Sequence, residues 1–293
     1  MIKTHRLVAG TLLLCLLAGP AVAEDAPGCF DCHEAAADDP VHAVFSTVHG
    51  TLNGGGANAC TACHGASEAH NRRGRREAPD VSFGPKWLSD LETRNGACQS
   101  CHANGDQLLW LGSEHEQENM ACADCHNSHQ QYDPALDEQL AGKMCTDCHT
   151  RVRAEMHLPS RHPIAEGKTA CTDCHNPHGS STEGALHAVS LNDNCLGCHQ
   201  DLRGPHLWEH EPATEDCSLC HRPHGSVNDR LLTARGPALC QQCHSAAFHP
   251  SLPYGGEGLA TGSANRNVIG KNCLNCHSQV HGSNHPSGAR LTR

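Results

Sequence analysis

The sequence contains very few of the large apolar side chains that build an ordinary protein core. Aromatic residues make up 3% of its 293 positions, and the mean hydropathy is -0.50. A chain of this length usually offsets the entropy of folding by burying many such side chains. Judged without its cysteines, the composition would be that of a partly disordered protein. Something other than side chains must therefore supply the core.

The chain also lacks a basic charge balance and a long apolar segment beyond its N-terminus. Its formal net charge is -11 at pH 7. Residues 1–23 carry two positive charges and no acidic residue, so the remainder has 19 Lys and Arg against 32 Asp and Glu, a net of -13. This acidity argues against nucleic acid, whose phosphate backbone requires a basic face. No later apolar run reaches the roughly 18 residues of a membrane-spanning helix.

The N-terminus has the pattern of a secretory signal peptide. Lys3 and Arg6 precede an apolar run from Leu7 to Ala18, and the small residues of Ala21 to Ala23 form a cleavage site. Cleavage is expected before Glu24, which makes residues 1–23 a signal peptide and the protein an exported one.

Ten copies of the pattern C-x-x-C-H follow in the mature chain. They use twenty of the 21 cysteines, and the remaining cysteine, Cys15, lies in the signal peptide. The twenty motif cysteines are Cys29, Cys32, Cys60, Cys63, Cys98, Cys101, Cys122, Cys125, Cys145, Cys148, Cys171, Cys174, Cys195, Cys198, Cys217, Cys220, Cys240, Cys243, Cys273 and Cys276.

This spacing is the attachment pattern of c-type haem. Two thiols three residues apart lie on one side of a single turn, where they can add to the two vinyl groups of one haem. The adjacent histidine then lies under the iron as its proximal ligand. The sequence predicts ten haems, with His33, His64, His102, His126, His149, His175, His199, His221, His244 and His277 as proximal ligands.

Other uses of paired cysteines do not require this pattern. Zinc ribbons contain C-x-x-C pairs but have no need of a histidine after every second cysteine. A disulfide framework does not demand ten identical endings. Thioredoxin-like chemistry needs one C-x-x-C in an α/β context.

The second axial ligand of each iron decides between electron transfer and substrate chemistry. Only Met120, Met144 and Met156 remain after cleavage, too few for ten irons, whereas fifteen histidines are left beyond the proximal ones and His5. The expected distal ligands are His49, His70, His115, His129, His162, His178, His210, His224, His249 and His281. His285 competes with His249 and His281. Bis-histidine ligation leaves no open iron, which favours an electron carrier of low reduction potential over an enzyme.

The expected fold class is a multihaem cytochrome c: mostly coil with short α-helices, little or no β-structure, and an elongated serial array whose haems form the core. Helices are expected over Pro85 to Glu92 and Pro134 to Met144. Successive motifs begin 22 to 38 residues apart, so residues 24–293 are expected to form one domain. Motifs three to six align with seven to ten, which predicts an internal repeat.

Several segments carry a more specific resemblance. They are Trp208 to Pro212, Asn176 to Ser180, Pro223 to Asp229 and Cys273 to Gly288. With the order of the motifs, they resemble the periplasmic decahaem cytochromes of outer-membrane porin–cytochrome conduits, the MtrA/DmsE type. The match covers essentially the whole mature chain.

The resemblance implies a wire of bis-histidine haems inserted into an outer-membrane β-barrel. Its expected partners are the porin, an extracellular multihaem cytochrome or reductase, and periplasmic or inner-membrane cytochrome donors. Members of the family transfer electrons to metal oxides or sulfoxides outside the cell, and some take electrons from ferrous iron. Two alternatives stay open: a soluble periplasmic electron shuttle without a barrel, and a multihaem oxidoreductase with an open haem site.

Overall fold

The computed structural model describes residues 28–33, 40–73, 76–244, 254–255, 258–259, 271–286 and 288–292. The signal peptide and His249 therefore lie outside the described residues.

Short helices joined by turns make up the described chain. The α-helices are α1 (Val48–Leu52), α2 (Gly56–His64), α3 (Glu68–Arg73), α4 (Leu91–Gln99), α5 (Glu114–Gln117), α6 (Cys122–Cys125), α7 (Glu138–Cys148), α8 (Thr150–Glu155), α9 (Leu191–Leu196), α10 (Glu211–Glu215) and α11 (Gly236–Cys240). Single 3-10 turns occupy Cys29–Asp31, Pro40–Ser46, Gly105–Gln107, Pro134–Leu136, Cys171–Asp173, Glu183–Ala185, Gln200–Leu202, Cys217–Leu219, Asp229–Leu231 and Cys273–Asn275.

Among the described residues, extended structure is confined to one small hairpin and a few bridges. Strands β1 (Tyr254–Gly255) and β2 (Gly258–Leu259) pair antiparallel, with Tyr254 opposite Leu259. The expected fold class, mostly coil with short helices and little β-structure, is confirmed. Within the described ranges, no helix has the length and apolar character needed to cross a membrane.

One of the two expected helices is wrong and the other is shifted. Residues 85–90 form a turn followed by an irregular segment, and α4 begins only at Leu91. The Asp90 carboxylate accepts a hydrogen bond from the Thr93 amide at 2.8 Å and so caps the helix there. The segment from Pro134 divides into a 3-10 turn and α7. Asp137 separates them, and its carboxylate accepts from the Leu140 amide at 2.9 Å.

The side chains alone do not form a core. No side chain among the described residues is fully buried, and four of the eight buried apolar residues are alanines: Ala59, Ala121, Ala141 and Ala170. Leucines such as Leu52 and Leu111 are 79% and 75% exposed. The described segments must therefore be held together through groups other than packed aliphatic side chains.

We expect the chain without haem to be largely unfolded, because its buried apolar surface cannot offset the conformational entropy of ordering it. The measurement is far-UV circular dichroism with thermal melting, on the mature chain with all motif cysteines changed to alanine and on the haem-loaded protein. The cysteine-free chain should show little helix and no cooperative transition. A helical spectrum with a cooperative melt would contradict this account.

Candidate functional site

Each motif is folded as one turn of helix that points its three reactive side chains in a common direction. The backbone amide of the motif histidine donates to the carbonyl of the first cysteine, four residues earlier, at 2.9 Å in motif one and 3.0 Å in motif five. The same bond recurs in the motifs that begin at Cys98, Cys122, Cys171, Cys195, Cys217, Cys240 and Cys273. The local fold thus provides the geometry that haem attachment requires.

Thiols of neighbouring motifs lie against each other. The thiols of Cys98 and Cys122 share a hydrogen bond, which raises the pKa of Cys98 and lowers that of Cys122 to about 7. The Cys145–Cys171 pair behaves alike, with the pKa of Cys171 lowered to about 7. First cysteines meet in the same way in Cys29–Cys60, Cys195–Cys217 and Cys240–Cys273.

The second cysteines join these motif pairs to one another. Burial raises the pKa of Cys63, and the negative charge of the Cys101 thiolate raises it further. Corresponding interactions follow in Cys125–Cys148, Cys174–Cys198 and Cys220–Cys243. The ten motifs therefore follow one another in space in the order in which they follow one another along the chain.

Histidine rings face each other in nine pairs across the described chain. Their ring centroids are 5.9 to 6.4 Å apart. The pairs are His33–His70, His64–His129, His49–His102, His126–His178, His115–His149, His175–His224, His162–His199, His221–His281 and His210–His244. Each contains one motif histidine and one member of the expected distal set.

The spacing of these rings fits two imidazoles on one metal ion. A metal–nitrogen bond is about 2 Å long, and the coordinating nitrogen is about 1.1 Å from the centre of its ring, so two opposed imidazoles should have centroids about 6.2 Å apart. Two buried polar donors also suit a group that carries acceptor oxygens. The Arg161 Nε and Trp208 Nε1 atoms have no hydrogen-bond partner. Haem, with its iron and its carboxylates, fits this donor set.

The second ring nitrogen of many paired histidines is already engaged. Nδ1 of His64, His115 and His175 bonds to backbone carbonyl oxygens at 2.9, 2.7 and 2.7 Å. Nε2 is therefore the nitrogen available to a metal ion between the two rings. A ligating histidine whose other nitrogen is fixed by a hydrogen bond has this arrangement. The unpaired histidines His42 and His187 show the opposite, since Nε2 itself bonds to a carbonyl oxygen at 3.1 and 2.9 Å.

Burial also favours the neutral imidazole, the form that binds metal. It is the main cause that lowers the pKa of His178, His224 and His281, and the facing motif histidine lowers each pKa further. The ring opposite His221 is His281 rather than His285. The Nδ1 atom of His277 donates to the Arg290 carbonyl at 2.6 Å. His249, the remaining member of the expected distal set, lies outside the described residues.

The ring pairs alternate in direction along the chain. From motif two to motif eight, each even-numbered motif histidine faces a histidine that follows the motif two places further on, as His126 faces His178. From motif three to motif nine, each odd-numbered one faces a histidine that lies between the two preceding motifs, as His149 faces His115. The pattern therefore repeats every two motifs.

Hydrogen bonds tie consecutive ring pairs together. Nδ1 of His115 donates to the carbonyl of Pro177, the residue just before His178, at 2.7 Å. His162 makes the same bond to Pro223, before His224, at 2.8 Å. His210 repeats it with Val280, before His281, at 2.7 Å. The sequence had singled out every histidine of these ring pairs as a candidate ligand, but the carbonyl acceptors and the direction of each pairing carry no residue signature.

Comparison with known proteins agrees with this geometry. Residues 162–204 and 210–249 match the doubled CXXCH motif, and residues 60–148 match the family described as cytochrome c-type protein NrfB-like. The multiheme cytochrome MtrA of Shewanella baltica (strain OS185) is 42% identical over 274 residues, which cover 92% of this chain and 81% of the relative. The chain thus belongs to the MtrA family of multihaem c-type cytochromes, and it transfers electrons.

Proposed function

We propose that the protein carries ten c-type haems in single file and conducts electrons along the whole length of that file. The observation that carries this proposal is the series of hydrogen bonds and charge interactions between motif thiols, which links each of the ten motifs to the next one along the chain. Covalently attached haems would follow the order of their attachment turns. Each haem would then have a neighbour on either side, except at the two ends.

The proposed axial ligands are the motif histidine and the histidine that faces it. This assigns nine bis-histidine irons from the ring pairs, which are 5.9 to 6.4 Å apart. To the tenth iron, at His277, we assign His249, the one member of the expected distal set that none of the nine ring pairs contains. With two imidazoles on every iron, these residues would orient each haem and give it a low reduction potential. No iron would then have an open position for a substrate.

The repeat of ligation supports an origin by duplication within one domain of residues 24–293. The backbone bridge between His175 and Leu186 recurs 46 residues later between His221 and Leu232. Their Nδ1 bonds recur with it, from His175 to Gly184 and from His221 to Arg230. The repeating unit in the structure is two motifs long, so two such units make up the four-motif repeat seen in the sequence.

We further propose that this wire operates within an outer-membrane barrel, between periplasmic cytochrome donors and a cytochrome or reductase at the cell surface. Similarity to MtrA over 92% of the chain and the export signal support this. Metal oxides, ferrous iron and sulfoxides are the candidate terminal substrates. A periplasmic shuttle without a barrel is the competing function, because it would need the same haems.

Low-temperature EPR with near-infrared magnetic circular dichroism tests the ligation. The oxidised wild-type protein should contain only low-spin bis-histidine haems. His178→Ala should turn one haem high-spin or give it a different ligand, because His178 faces a motif histidine. His187→Ala is the matched control, nine residues away, and should leave all ten unchanged. A high-spin haem in the wild-type protein would instead indicate substrate chemistry.

The glycine after His178 provides a second test of the same ligand. Gly179 has φ +104°, and a Cβ on it would lie 2.6 Å from the Leu109 carbonyl oxygen. Gly179→Ala should displace His178 and produce a high-spin signal from one haem. Gly105 also has a positive φ, +60°, but no atom lies within 4 Å of a Cβ there. Gly105→Ala should therefore cost only about 1 kcal/mol of stability and keep the ligation. Equal spectra for both variants would contradict the assignment.

Cell fractionation separates the conduit from the shuttle. The tagged haem-loaded protein should stay with outer membranes through a high-salt wash and copurify in detergent with an integral β-barrel protein. Recovery of the whole pool in the periplasmic fraction, with no barrel attached, would favour the shuttle.

A further inference from the structure

The five even-numbered motif histidines share one feature of their surroundings. Nδ1 of each bonds to an oxygen that lies 7 to 17 residues further along the chain. In four of them this oxygen is a backbone carbonyl: those of Val81, Gly184, Arg230 and Arg290. In motif four it is a carboxylate, because Nδ1 of His126 bonds to Oδ2 of Asp133 at 2.7 Å.

Local structure fixes the Asp133 carboxylate in place. Its other oxygen, Oδ1, accepts a hydrogen bond from the Ala135 amide at 3.0 Å and caps the 3-10 turn Pro134–Leu136. The side chain is only 17% exposed. Among the described residues, no lysine or arginine forms an ion pair with it. The His126 ring therefore faces the full charge of the carboxylate.

A second carboxylate lies near an axial ring but is less well placed. Glu155 Oε2 is 3.5 Å from Nδ1 of His224, the ring that faces His175. The Arg151 side chain lies 4.0 Å from the other oxygen of Glu155 and offsets part of its charge. The contact of Asp133 is shorter and has no such competitor, so it should have the stronger effect.

A carboxylate on the outer nitrogen of a ligating imidazole makes that imidazole a stronger donor to the metal. Stronger donation stabilises ferric iron more than ferrous iron and lowers the reduction potential. We infer that Asp133 lowers the potential of the haem attached at Cys122 and Cys125 below those of the other even-numbered haems. This inference rests on the proposed ligation of that haem by His126 and His178.

The step concerned is the gain of one electron by one iron. Ferric iron becomes ferrous, the proton stays on Nδ1 of His126, and no bond in the chain breaks. Asp133 is thus a tuning residue that acts through His126. An electron that moves along the file meets its highest-energy position in the even-numbered series at motif four, and a partly reduced protein holds its electrons at other haems.

The test is Asp133→Asn in the full haem-loaded protein, because asparagine keeps the helix cap and removes the charge. Asp124→Asn is the matched control. Asp124 lies inside the same motif and bonds to the Ala121 amide at 2.7 Å rather than to an imidazole. Burial raises the pKa of the Cys125 thiol, and the charge of Asp124 adds more to this rise than that of Asp133 does. The control therefore removes an equal charge near the same haem.

Optically monitored redox titration provides the readout. In Asp133→Asn, the most negative part of the titration curve should lose about one tenth of the total α-band change. That tenth should appear at a higher potential, because one haem of ten becomes easier to reduce. A tenfold shift of that iron towards the ferrous state, the lower end of outer-shell effects, corresponds to about 59 mV for a one-electron couple. Asp124→Asn should produce a clearly smaller shift, and Asp133→Glu, which restores a carboxylate, should recover part of the wild-type curve.

Three results would overturn the inference. They are an unchanged curve for Asp133→Asn, an equal shift for Asp124→Asn, and a curve for Asp133→Glu that coincides with that of Asp133→Asn. If Asp133→Asn fails to bind ten haems, Asp133→Ser, which keeps a capping oxygen and removes the charge, takes its place in each comparison. The EPR spectrum of the wild-type protein tests the bis-histidine ligation separately, so failure of one does not imply failure of the other.

Discussion

The rest of this structure depends on pairs of imidazole rings. In each pair, one ring comes from a C-x-x-C-H turn and the other from a distant segment of the chain. His126 and His178 are 52 residues apart in sequence, and His221 and His281 are 60 apart, yet their rings have centroids 6.0 and 6.1 Å apart. In ordinary domains, packed aliphatic side chains impose such long-range contacts. Here the apolar contribution is small, and iron coordination would set the tertiary distances.

A second layer of bonds gives these pairs their order. Nδ1 of His115, His162 and His210 binds a carbonyl beside the distal histidine of the neighbouring pair. The proposed ligand of one iron would thus be oriented by the segment that holds the proposed ligand of the next. The order of the motifs in space follows from the thiol contacts, and the orientation of the rings follows from these carbonyls. Both are made by backbone and cysteine, which explains why a chain so poor in apolar residues suffices.

The sequence predicted the chemistry of the sites more completely than their connections. Ten identical motifs predict the haem-attachment residues directly, and the small number of methionines leaves histidine as the expected second ligand. Which rings face each other could not be predicted, because pairing alternates between forward and backward reach and depends on the path of the chain. Asp133 was missed for a related reason: its counterparts are carbonyls at varying distances, so no pattern marks it. The helix expected from Pro85 is wrong because the cap at Asp90 determines where α4 begins.

The two-motif period constrains how proteins of this construction can change in length. Removing one motif would reverse the parity of every motif after it, so forward-reaching and backward-reaching histidines would exchange roles and lose their partners. Removing two adjacent motifs preserves parity, and the segments on either side can rejoin in register. If the proposed ligation holds, rearrangements that lengthen or shorten such a chain should be tolerated in steps of two motifs, which would keep the number of haems even.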